Sequence, residues 1–409
     1  MRKRIALVVP EGLPVPAVRG GAIEELVTIL IEQNEIEQKA EFYVFSVADE
    51  AAKERAKEYR HTHMIYLPPT SFMDRIMNRV IRYTDRVLHV VKPDKKTMID
   101  IAYYRRVKKY IDVHPMDAIV AEGGKYEQFR RFSEDYGKEN LYLHVHHHLL
   151  CEPYFDHIFG KAIGISNFAR NEFLRTTEEK SIQGYTVYNS VNEDKFTKLI
   201  TQEERDALRS NLGFSKEDIV VLYCGRVIEV KGARELVQAI VNIRNPHIKL
   251  LMIGSANFGS NEETPYVQEV KRLLAQAGER VKFTGYIQNE ELCRYYQSAD
   301  LQAIPSLWEE AAGLIAIEGM LSGLPLIVTI SGGLVEYAPS DVAIQIERQG
   351  IVANLEEAIT ALALDTERRA EMRKKSLEQA KVFSKSRFYH EFIGVFEHEG
   401  IRKVQGTTD

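Results

Sequence analysis

Short apolar runs rich in β-branched residues alternate with amphipathic helical patterns along the whole chain. Unbroken apolar runs of this kind are typical of parallel strands that helices cover on both faces. Helical signals separate the runs, for example at residues 22–33, 233–243 and 316–321. The alternation predicts an α/β protein with doubly wound sheets. The predicted strands are residues 4–9, 42–47, 118–121, 141–145, 162–165, 186–188, 219–224, 249–253, 281–284, 301–304, 326–329 and 342–344.

A polar stretch at residues 189–202 divides this pattern into two halves. It precedes a charged helix, and a new strand–turn–helix pattern begins at Ile219. A chain of 409 residues suits two α/β domains of about 200 residues each. We therefore predict a first domain at 1–195, a second at 196–383, and a helix within 384–409 that packs back towards the first domain.

Composition and charge exclude several classes of protein. Apolar residues make up 44% and charged residues 28% of the chain, which is typical of a globular protein. The net charge of −5 does not favour nucleic-acid binding. The three cysteines (Cys151, Cys224 and Cys293) are far apart, which argues against a disulfide framework and structural zinc. No apolar run approaches the length of a membrane span or a secretory signal, so we expect a cytoplasmic protein.

Ligands of open α/β sheets bind beyond the carboxyl ends of the strands, so the chemistry is expected in the loops there. The first such loop ends in Gly20 and Gly21, directly before a predicted helix. Paired glycines let backbone amides approach an anion at a helix N-terminus. A plain strand-to-helix turn is the alternative interpretation.

A second loop carries histidines at the end of the predicted strand 141–145. If the chain stays extended, His144, His146 and His148 point to one side of it. Histidine suits proton transfer and hydrogen bonding to sugar hydroxyls near neutral pH. A metal site and a merely polar strand end are the alternatives, and no second cluster of ligands in the sequence supports the metal.

Two cations follow the predicted strand 219–224. Arg226 and Lys231 are spaced so that both side chains can face one pocket. Arginine offers a planar fork of donors and lysine a compact charge, a combination that fits a diphosphate. A solvated charged turn is the alternative.

The loop at residues 305–318 carries the most specific signal, because it joins a strand to a helix predicted to begin near Gly313. Glu310 at the mouth of the helix and Glu318 two turns into it can accept hydrogen bonds from the hydroxyls of a sugar and a ribose. Backbone amides at the helix start can meet phosphates between them. Acidic residues are also ordinary in the first turn of a helix, which is the alternative.

The chain carries these motifs in a fixed order: Gly20-Gly21, the histidine strand, Asn189-Ser190-Val191-Asn192, Gly225-Arg226 with Lys231-Gly232, Pro305-Ser306 with Glu310, Gly313 and Glu318, and Gly332-Gly333 with Glu336. Together they resemble the family 4 retaining glycosyltransferases, and the resemblance covers nearly the whole chain. It implies the GT-B fold, in which two Rossmann-like domains face each other across a cleft. The first-half motifs are most similar to the bacterial spore-coat-associated branch. The sequence departs from the family pattern at Ala311-Ala312, Ser190 and Asn192.

The resemblance also implies residue roles. Arg226 and Lys231 would bind the donor diphosphate and stabilise it as a leaving group. Glu310 would contact hydroxyls of the transferred sugar, Glu318 would bind the ribose, and His146 would touch the sugar near the reacting carbon. The remaining candidates are Gly313 and Leu314 as amide donors to the phosphate or sugar, Gly20 and Gly21 as a loop that closes on the donor or acceptor, and His144 and Gly332 as secondary residues.

The implied reaction moves a hexose-type sugar from a nucleotide diphosphate donor, most commonly a UDP-sugar, to a glycan or lipid-linked acceptor in polysaccharide biosynthesis. It retains the anomeric configuration and uses neither a metal ion nor a cofactor, the nucleotide sugar being a co-substrate. Two alternatives are a nucleotide-sugar epimerase, which needs no acceptor, and a non-catalytic coat or scaffold protein with a vestigial donor pocket.

A basic stretch runs from Arg75 to Lys109, with arginines at helical spacing in its first part. Such a helix could rest on an anionic membrane and meet a lipid-linked acceptor, placing the protein at the inner membrane face. The alternatives are a solvated helix face and a surface that grips an acidic glycan. Association with the spore coat is the other location that the resemblance implies.

Overall fold

The computed structural model describes residues 2–68, 76, 97–152, 154–177, 181–196, 198–256 and 263–397. Its strands are β1 (Lys3–Val8), β2 (Ala40–Val47), β3 (Thr62–Leu67), β4 (Ala118–Ala121), β5 (Leu141–Val145), β6 (Lys161–Gly164), β7 (Gln183–Thr186), β8 (Ile219–Cys224), β9 (Ile248–Ile253), β10 (Val281–Gly285), β11 (Leu301–Ile304), β12 (Leu326–Thr329) and β13 (Ala343–Ile346).

Helices lie between these strands. They are α1 (Ala22–Glu37), α2 (Glu50–Ala56), α3 (Thr97–Ile111), α4 (Arg130–Tyr136), α5 (Phe155–Ile158), α6 (Asn167–Arg175), α7 (Gln202–Asn211), α8 (Ala233–Asn242), α9 (Pro265–Ala277), α10 (Asn289–Ser298), α11 (Leu314–Leu321), α12 (Leu334–Tyr337), α13 (Ile351–Leu364), α14 (Thr366–Ala380) and α15 (Lys385–Glu397).

The chain divides into two compact units. The first contains residues 1–165, 169–188 and 385–409, and the second contains residues 166–168 and 189–384. The sequence-based division was placed at 195/196, whereas the chain passes into the second unit at Asn189. Residues 385–397, which form α15, are part of the first unit.

The first unit contains a parallel sheet in the order β3-β2-β1-β4-β5-β6-β7. The strand order reverses between β1 and β4, which makes the carboxyl ends of these strands the expected ligand-binding edge. One face of the sheet is covered by α1 and α15, whose Leu30, Phe388 and Phe392 join Leu7 and Phe42 in a buried apolar cluster. Burial of such side chains is the main stabilising contribution to this unit.

The second unit contains a parallel sheet in the order β10-β9-β8-β11-β12-β13. Here the order reverses between β8 and β11. Leu236 of α8 and Leu355 of α13 pack on Val221 and Leu250 of the central strands. Side-chain caps define where two of its helices begin: Thr201 forms a capping box with Glu204 at α7, and Thr264 caps α9 ahead of Pro265.

The predicted doubly wound α/β architecture is confirmed in both units, and most predicted strands are found within one or two residues of their bounds. The prediction missed β3, and it placed β7 at 186–188 instead of Gln183–Thr186. Both are edge strands of the first sheet and are mostly half-buried, so their sequences lack an unbroken apolar run. None of the described helices combines the length and apolar character needed to cross a bilayer.

Much of the basic stretch from Arg75 to Lys109 lies outside the described residues, including Arg75 itself and residues 77–96. Its described end lies in α3, where Lys108 is 17% exposed and its Nζ lies 2.8 Å from Oδ1 of Asp112. Lys108 also pairs with Asp135. This cation is therefore neutralised within the first unit.

Candidate active site

The carboxyl edge of the second sheet brings three loops together, since β8, β11 and β12 are neighbours in it. They are residues 225–232 after β8, residues 305–313 after β11 and residues 330–333 after β12. These loops contain Arg226, Lys231 and Glu310, which the sequence predicted to act together. Their meeting at one edge follows from parallel strand pairing, which aligns the carboxyl ends.

Lys231 and Glu310 form the central contact of this edge. The ammonium Nζ of Lys231 lies 2.6 Å from Oε1 of Glu310, and both side chains are less than one-fifth exposed. The hydroxyl of Ser306 donates to the same carboxylate oxygen. The ring of Trp308 lies with its centroid 5.0 Å from the Lys231 ammonium, a cation–π distance. The two charges are thus held by two neighbours, Ser306 and Trp308, rather than left as a solvated turn.

Gly232 explains how the two loops come so close. Its φ of 68° is in the left-handed region, and a Cβ there would lie 1.9 Å from the carbonyl oxygen of Pro305. Only glycine satisfies both conditions without strain. The glycine after Lys231 therefore permits the approach of the loop that carries Glu310.

Arg226 belongs to the same edge of the sheet, where its backbone contacts Tyr223. The buried Tyr223 hydroxyl donates to the backbone carbonyl of Arg226 at 2.7 Å. Burial raises the pKa of Tyr223 well above its ordinary value; the Glu310 charge raises it further and the Arg226 charge opposes this. Both charged groups therefore act on one phenol at the end of β8.

Helix α11 begins beside this cluster. Its N-cap residue is Gly313, which has no side chain with which to cap the first-turn amides, and Leu314 is the first helical residue. The amide of Gly333 donates to the carbonyl of Glu310 at 2.6 Å. Gly332 has a φ of 49°, and a Cβ there would lie 2.4 Å from that same carbonyl oxygen. Gly332 thus contributes by letting the 330–333 loop support Glu310.

Glu318 lies further along α11 and is half-buried. The hydroxyl of Tyr296, a fully buried side chain of α10, donates to Oε2 of Glu318 at 2.7 Å. Burial, and then the Glu318 charge, raise the pKa of the Cys224 thiol to about 12. The carboxylate of Glu318 is therefore close to the end of β8 and is held by a neutral donor.

In the first unit the carboxyl edge collects a carboxylate and two imidazoles. Oε2 of Glu122, directly after β4, lies 2.8 Å from Nδ1 of His144 and 2.8 Å from Nε2 of His146. The exposed fractions of the three side chains are 0%, 1% and 5% in that order. The two imidazole rings lie with centroids 3.9 Å apart. The His144–His146 pair of the sequence prediction is thus joined by a residue that the prediction did not include.

The charges of this cluster act on its pKa values. Burial alone would raise the pKa of Glu122, but His144 and the hydrogen bonds from both imidazoles outweigh it and lower this pKa to about 2. Burial and the neighbouring His144 lower the pKa of His146 to about 4, although Glu122 opposes that shift. Near neutral pH, Glu122 is ionised and His146 is neutral.

These three side chains are also the described group with the donor set of a metal site, since one ligand atom from each lies within 4.8 Å of the others. Two imidazole nitrogens and one carboxylate oxygen suit zinc. The N···O distances of 2.8 Å, however, are those of direct hydrogen bonds. The hydrogen bonds account for the arrangement by themselves.

The expectation that His148 joins this cluster is wrong. The strand β5 ends at Val145, so the extended geometry does not continue through the histidine run. The His148 side chain is 38% exposed, and its Nε2 lies 3.7 Å from Oε2 of Glu172. It lies beside a carboxylate on the surface instead.

Gly20 and Gly21 both have positive φ values, 77° and 105°, and Gly21 is the N-cap residue of α1. A Cβ at Gly21 would lie 2.0 Å from a carboxylate oxygen of Glu24. Burial raises the pKa of Glu24, which lies in the first turn of α1. The space next to this helix N-terminus is thus occupied by a carboxyl group of the protein itself.

Residues 204–379, most of the second unit, match the sequence model of the family described as Glycosyl transferases group 1. Over most of its length the second unit is therefore similar to the group 1 glycosyltransferases. Spore coat protein SA of Bacillus subtilis is 27% identical over 340 residues, which are 81% of each chain. Two solved structures share the fold: Anabaena HepE in complex with UDP, with a TM-score of 0.70 and 19% identity, and a Rickettsia africae glycosyltransferase, with a TM-score of 0.75 and 17% identity. Each covers 97% of this chain, and the alignments cover 100% and 98% of those chains. The predicted GT-B fold is confirmed, and the family match agrees with the resemblance that the motifs indicated.

The sequence identified the charged residues of the second unit but missed two partners. Glu122 follows a predicted strand and precedes Gly123-Gly124, a signal similar to the Gly-Gly pairs that were singled out elsewhere. Tyr296 lies in a helix between two strands, and no local pattern indicates that its hydroxyl meets Glu318. The first was recoverable from the sequence, and the second required the fold.

Proposed function

We propose that this glycosyltransferase moves a hexose-type sugar from a nucleotide diphosphate donor to a hydroxyl of a glycan or lipid-linked acceptor, with retention of anomeric configuration and without a metal ion. The observation that carries the proposal is the 2.6 Å contact between Lys231 and Glu310. In a nucleotide sugar the diphosphate is attached directly to the anomeric carbon. A site for it therefore needs a phosphate-binding cation beside an acceptor for sugar hydroxyls.

The Lys231 ammonium has three N–H donors, so its bond to Glu310 is compatible with a further bond to a phosphate oxygen. The Glu310 carboxylate, with two oxygens and about four lone-pair directions, can likewise accept from a sugar hydroxyl. Trp308, 42% exposed and next to Lys231, adds an apolar surface of the kind on which sugar rings pack. We therefore assign the pair to the junction between the diphosphate and the hexose.

Cleavage of the sugar–phosphate bond leaves charge on the diphosphate, and the proposal assigns its stabilisation to Arg226, Lys231 and the amides of Gly313 and Leu314. Helix N-termini and fixed cations stabilise anions without reorganisation during the reaction. Removal of one such donor typically lowers kcat about 10²–10³-fold. This arrangement supplies positive charge where many other transferases use a metal ion.

The nucleoside part of the donor is assigned to Glu318. Its carboxylate would accept hydrogen bonds from the ribose hydroxyls while it also accepts one from the Tyr296 hydroxyl. HepE of Anabaena, which shares this fold, has been solved with UDP and with UDP-glucose. We take UDP as the first donor nucleotide to test. The neutral His146 is assigned to a hydrogen bond with a sugar hydroxyl, with His144 as its neighbour. The similarity to spore coat protein SA supports an acceptor in the spore coat.

A thermal-shift screen against UDP-, GDP-, ADP- and dTDP-sugars, with EDTA or with Mg²⁺, tests the donor. A ligand at 100 times its Kd adds about 2.7 kcal/mol of stability, which raises the melting temperature measurably. We expect the same shift with EDTA as with Mg²⁺. Release of free nucleotide only when an acceptor is added distinguishes a transferase from an epimerase. A shift that strictly requires Mg²⁺ would sink the metal-independent mechanism, and no shift with any donor would sink the donor site.

The stereochemical course is read by ¹H NMR of the first-formed product. Nucleotide sugars such as UDP-glucose are α-linked, so retention gives an α-glycoside, whose anomeric coupling is smaller than that of the β-glycoside. A β product in the first turnover contradicts the retaining assignment. That result would leave the nucleotide-sugar site itself in place.

A further inference from the structure

We propose that Glu122 is a positioning residue that fixes the tautomer of His146, with the proton on Nε2 and an unprotonated Nδ1 that accepts a hydrogen bond from a substrate hydroxyl. The proposal rests on the proposed function, because a sugar substrate would supply the hydroxyl that donates to Nδ1. It concerns a residue that the sequence motifs did not single out.

The contact with Glu122 places a proton on Nε2 of His146. An ionised carboxylate is an acceptor without a hydrogen of its own, and Oε2 of Glu122 lies 2.8 Å from Nε2 of His146. The imidazole must therefore donate through Nε2. A neutral imidazole carries one proton, so Nδ1 is left with a lone pair.

The imidazole of His144 restricts the orientation of the Glu122 carboxylate. Nδ1 of His144 lies 2.8 Å from the same Oε2, so one oxygen accepts from two rings. Phe392 of α15 packs on the His144 ring with centroids 5.8 Å apart. Glu122, His144 and His146 are all at least nine-tenths buried. The carboxylate therefore has little freedom to turn away from His146.

The other ring nitrogen of His146, Nδ1, is the proposed acceptor for the substrate hydroxyl. Nδ1 of His146 is buried and has no hydrogen-bond partner among the described residues. A protonated ring would put a donor there, and the neutral ring puts an acceptor there. The ionisable groups that act on this pair are His144, His147 and Tyr126. Together with burial they keep His146 neutral near pH 7, with its pKa lowered to about 4.

A zinc ion is the competing occupant of the same three side chains. Zinc ligation brings each ligand atom to about 2.0–2.2 Å from the metal, and the outer nitrogen of a ligating histidine almost always donates to a further acceptor. Here the outer nitrogens, Nε2 of His144 and Nδ1 of His146, have no partner in the part of the chain that the structure describes. Direct hydrogen bonds to Glu122 agree better with this geometry.

The test compares Glu122→Gln with Glu172→Gln. Both replace a carboxylate that contacts a histidine, but the Glu172 partner is the exposed His148, 3.7 Å away. The histidine tautomers of the full-length ¹⁵N-labelled protein are read from side-chain ¹⁵N shifts near pH 7. We expect the Nε2-protonated form of His146 in the unmodified protein and in Glu172→Gln. In Glu122→Gln the amide can donate to Nε2, so the Nδ1-protonated form should appear.

Steady-state kinetics and UDP binding of the same two variants test the effect on function. Glu122→Gln should lower kcat at least tenfold, while KM for the donor and the Kd for UDP change less than threefold. Glu172→Gln should change none of them. A loss of packing alone would not reverse a tautomer and spare nucleotide binding, so the combined readout separates positioning from a structural role.

Three results would overturn the proposal. They are an Nδ1-protonated His146 in the unmodified protein, an unchanged kcat in a folded Glu122→Gln variant, and stoichiometric zinc that is lost in Glu122→Gln. The tautomer of the unmodified protein decides the first point even if the variant does not fold. If instead the unmodified protein shows the expected tautomer but turns over no nucleotide sugar, it is the proposed function that fails.

Discussion

The ammonium of Lys231 lies 2.6 Å from the carboxylate of Glu310, which is 79 residues further along the chain. Neither side chain alone could bind a nucleotide sugar. Lys231 by itself offers no acceptor for sugar hydroxyls, and Glu310 by itself would repel the diphosphate. The pair offers both chemistries at adjacent atoms. Its environment of Ser306, Trp308 and Gly232 holds the two groups in place before a ligand arrives.

Lys231→Ala should weaken UDP binding at least tenfold and lower kcat by about 10²-fold, because charge-assisted hydrogen bonds contribute about 1.5–3 kcal/mol. Isothermal titration with UDP and initial rates measure the two effects. The matched control is Lys375→Ala, whose ammonium lies 2.9 Å from Glu371 on the surface of the same unit. Equal UDP affinity in both variants would remove Lys231 from the diphosphate site.

Tyr296→Phe should weaken binding of uridine and UDP by similar factors of about three- to tenfold, since a net hydrogen bond contributes about 0.5–1.5 kcal/mol. Without the hydroxyl, Glu318 loses the donor at 2.7 Å that holds it. Tyr295→Phe, on the same helix, is the control. If the uridine and UDP affinities of Tyr296→Phe match those of the control, Glu318 does not depend on this contact for nucleoside binding.

Gly232→Ala should destabilise the protein more than Gly213→Ala and should also weaken UDP binding. Both positions have left-handed φ values, 68° and 83°, so each alanine carries a backbone cost of about 1–2 kcal/mol. At Gly213 an added Cβ meets nothing within 4 Å, whereas at Gly232 it lies 1.9 Å from the Pro305 carbonyl oxygen. Melting temperatures and UDP titrations separate the two contributions. Equal melting temperatures would show that the loops simply move apart.

Acid should destabilise the first unit through Glu122 and His146. The folded pKa of His146, about 4, is below its ordinary 6.5, so the unfolded chain binds the proton first and stability falls as pH drops from about 6.5 to 4. The folded pKa of Glu122, about 2, is below its ordinary 4.5, so a further loss follows between about 4.5 and 2. Both contributions are fully present at pH 7.

Melting temperatures at pH 7.5, 6 and 5 test this dependence. The decrease on acidification should be smaller in His146→Gln than in the unmodified protein, because the variant cannot take up that proton on unfolding. His148→Gln, at an exposed imidazole, provides the comparison. A decrease of the same size in all three proteins would show that His146 is not held neutral by the fold.

The sequence predicted the central strands of the sheets more accurately than the edge strands. The central strands β1, β4, β8 and β11 are apolar because both of their faces are covered, and each was predicted within one residue. β3 is half-polar because it lies at the sheet edge, so it carries no such run. The unit boundary was placed seven residues late for a related reason. Polar composition marks a loop but not the residue at which the chain changes its packing partners.

The sequence by itself determined the α/β architecture, the order of the elements and the chemical types at the strand ends, because hydrophobic periodicity and motif spacing are local properties. Only the tertiary structure decided which of those groups meet. Parallel strands are joined by long crossovers, so their carboxyl ends become neighbours regardless of separation along the chain. For that reason Glu122 contacts His144 and His146. Tyr296 contacts Glu318 because α10 packs against α11, and His148 lies outside the cluster because its strand ends at Val145.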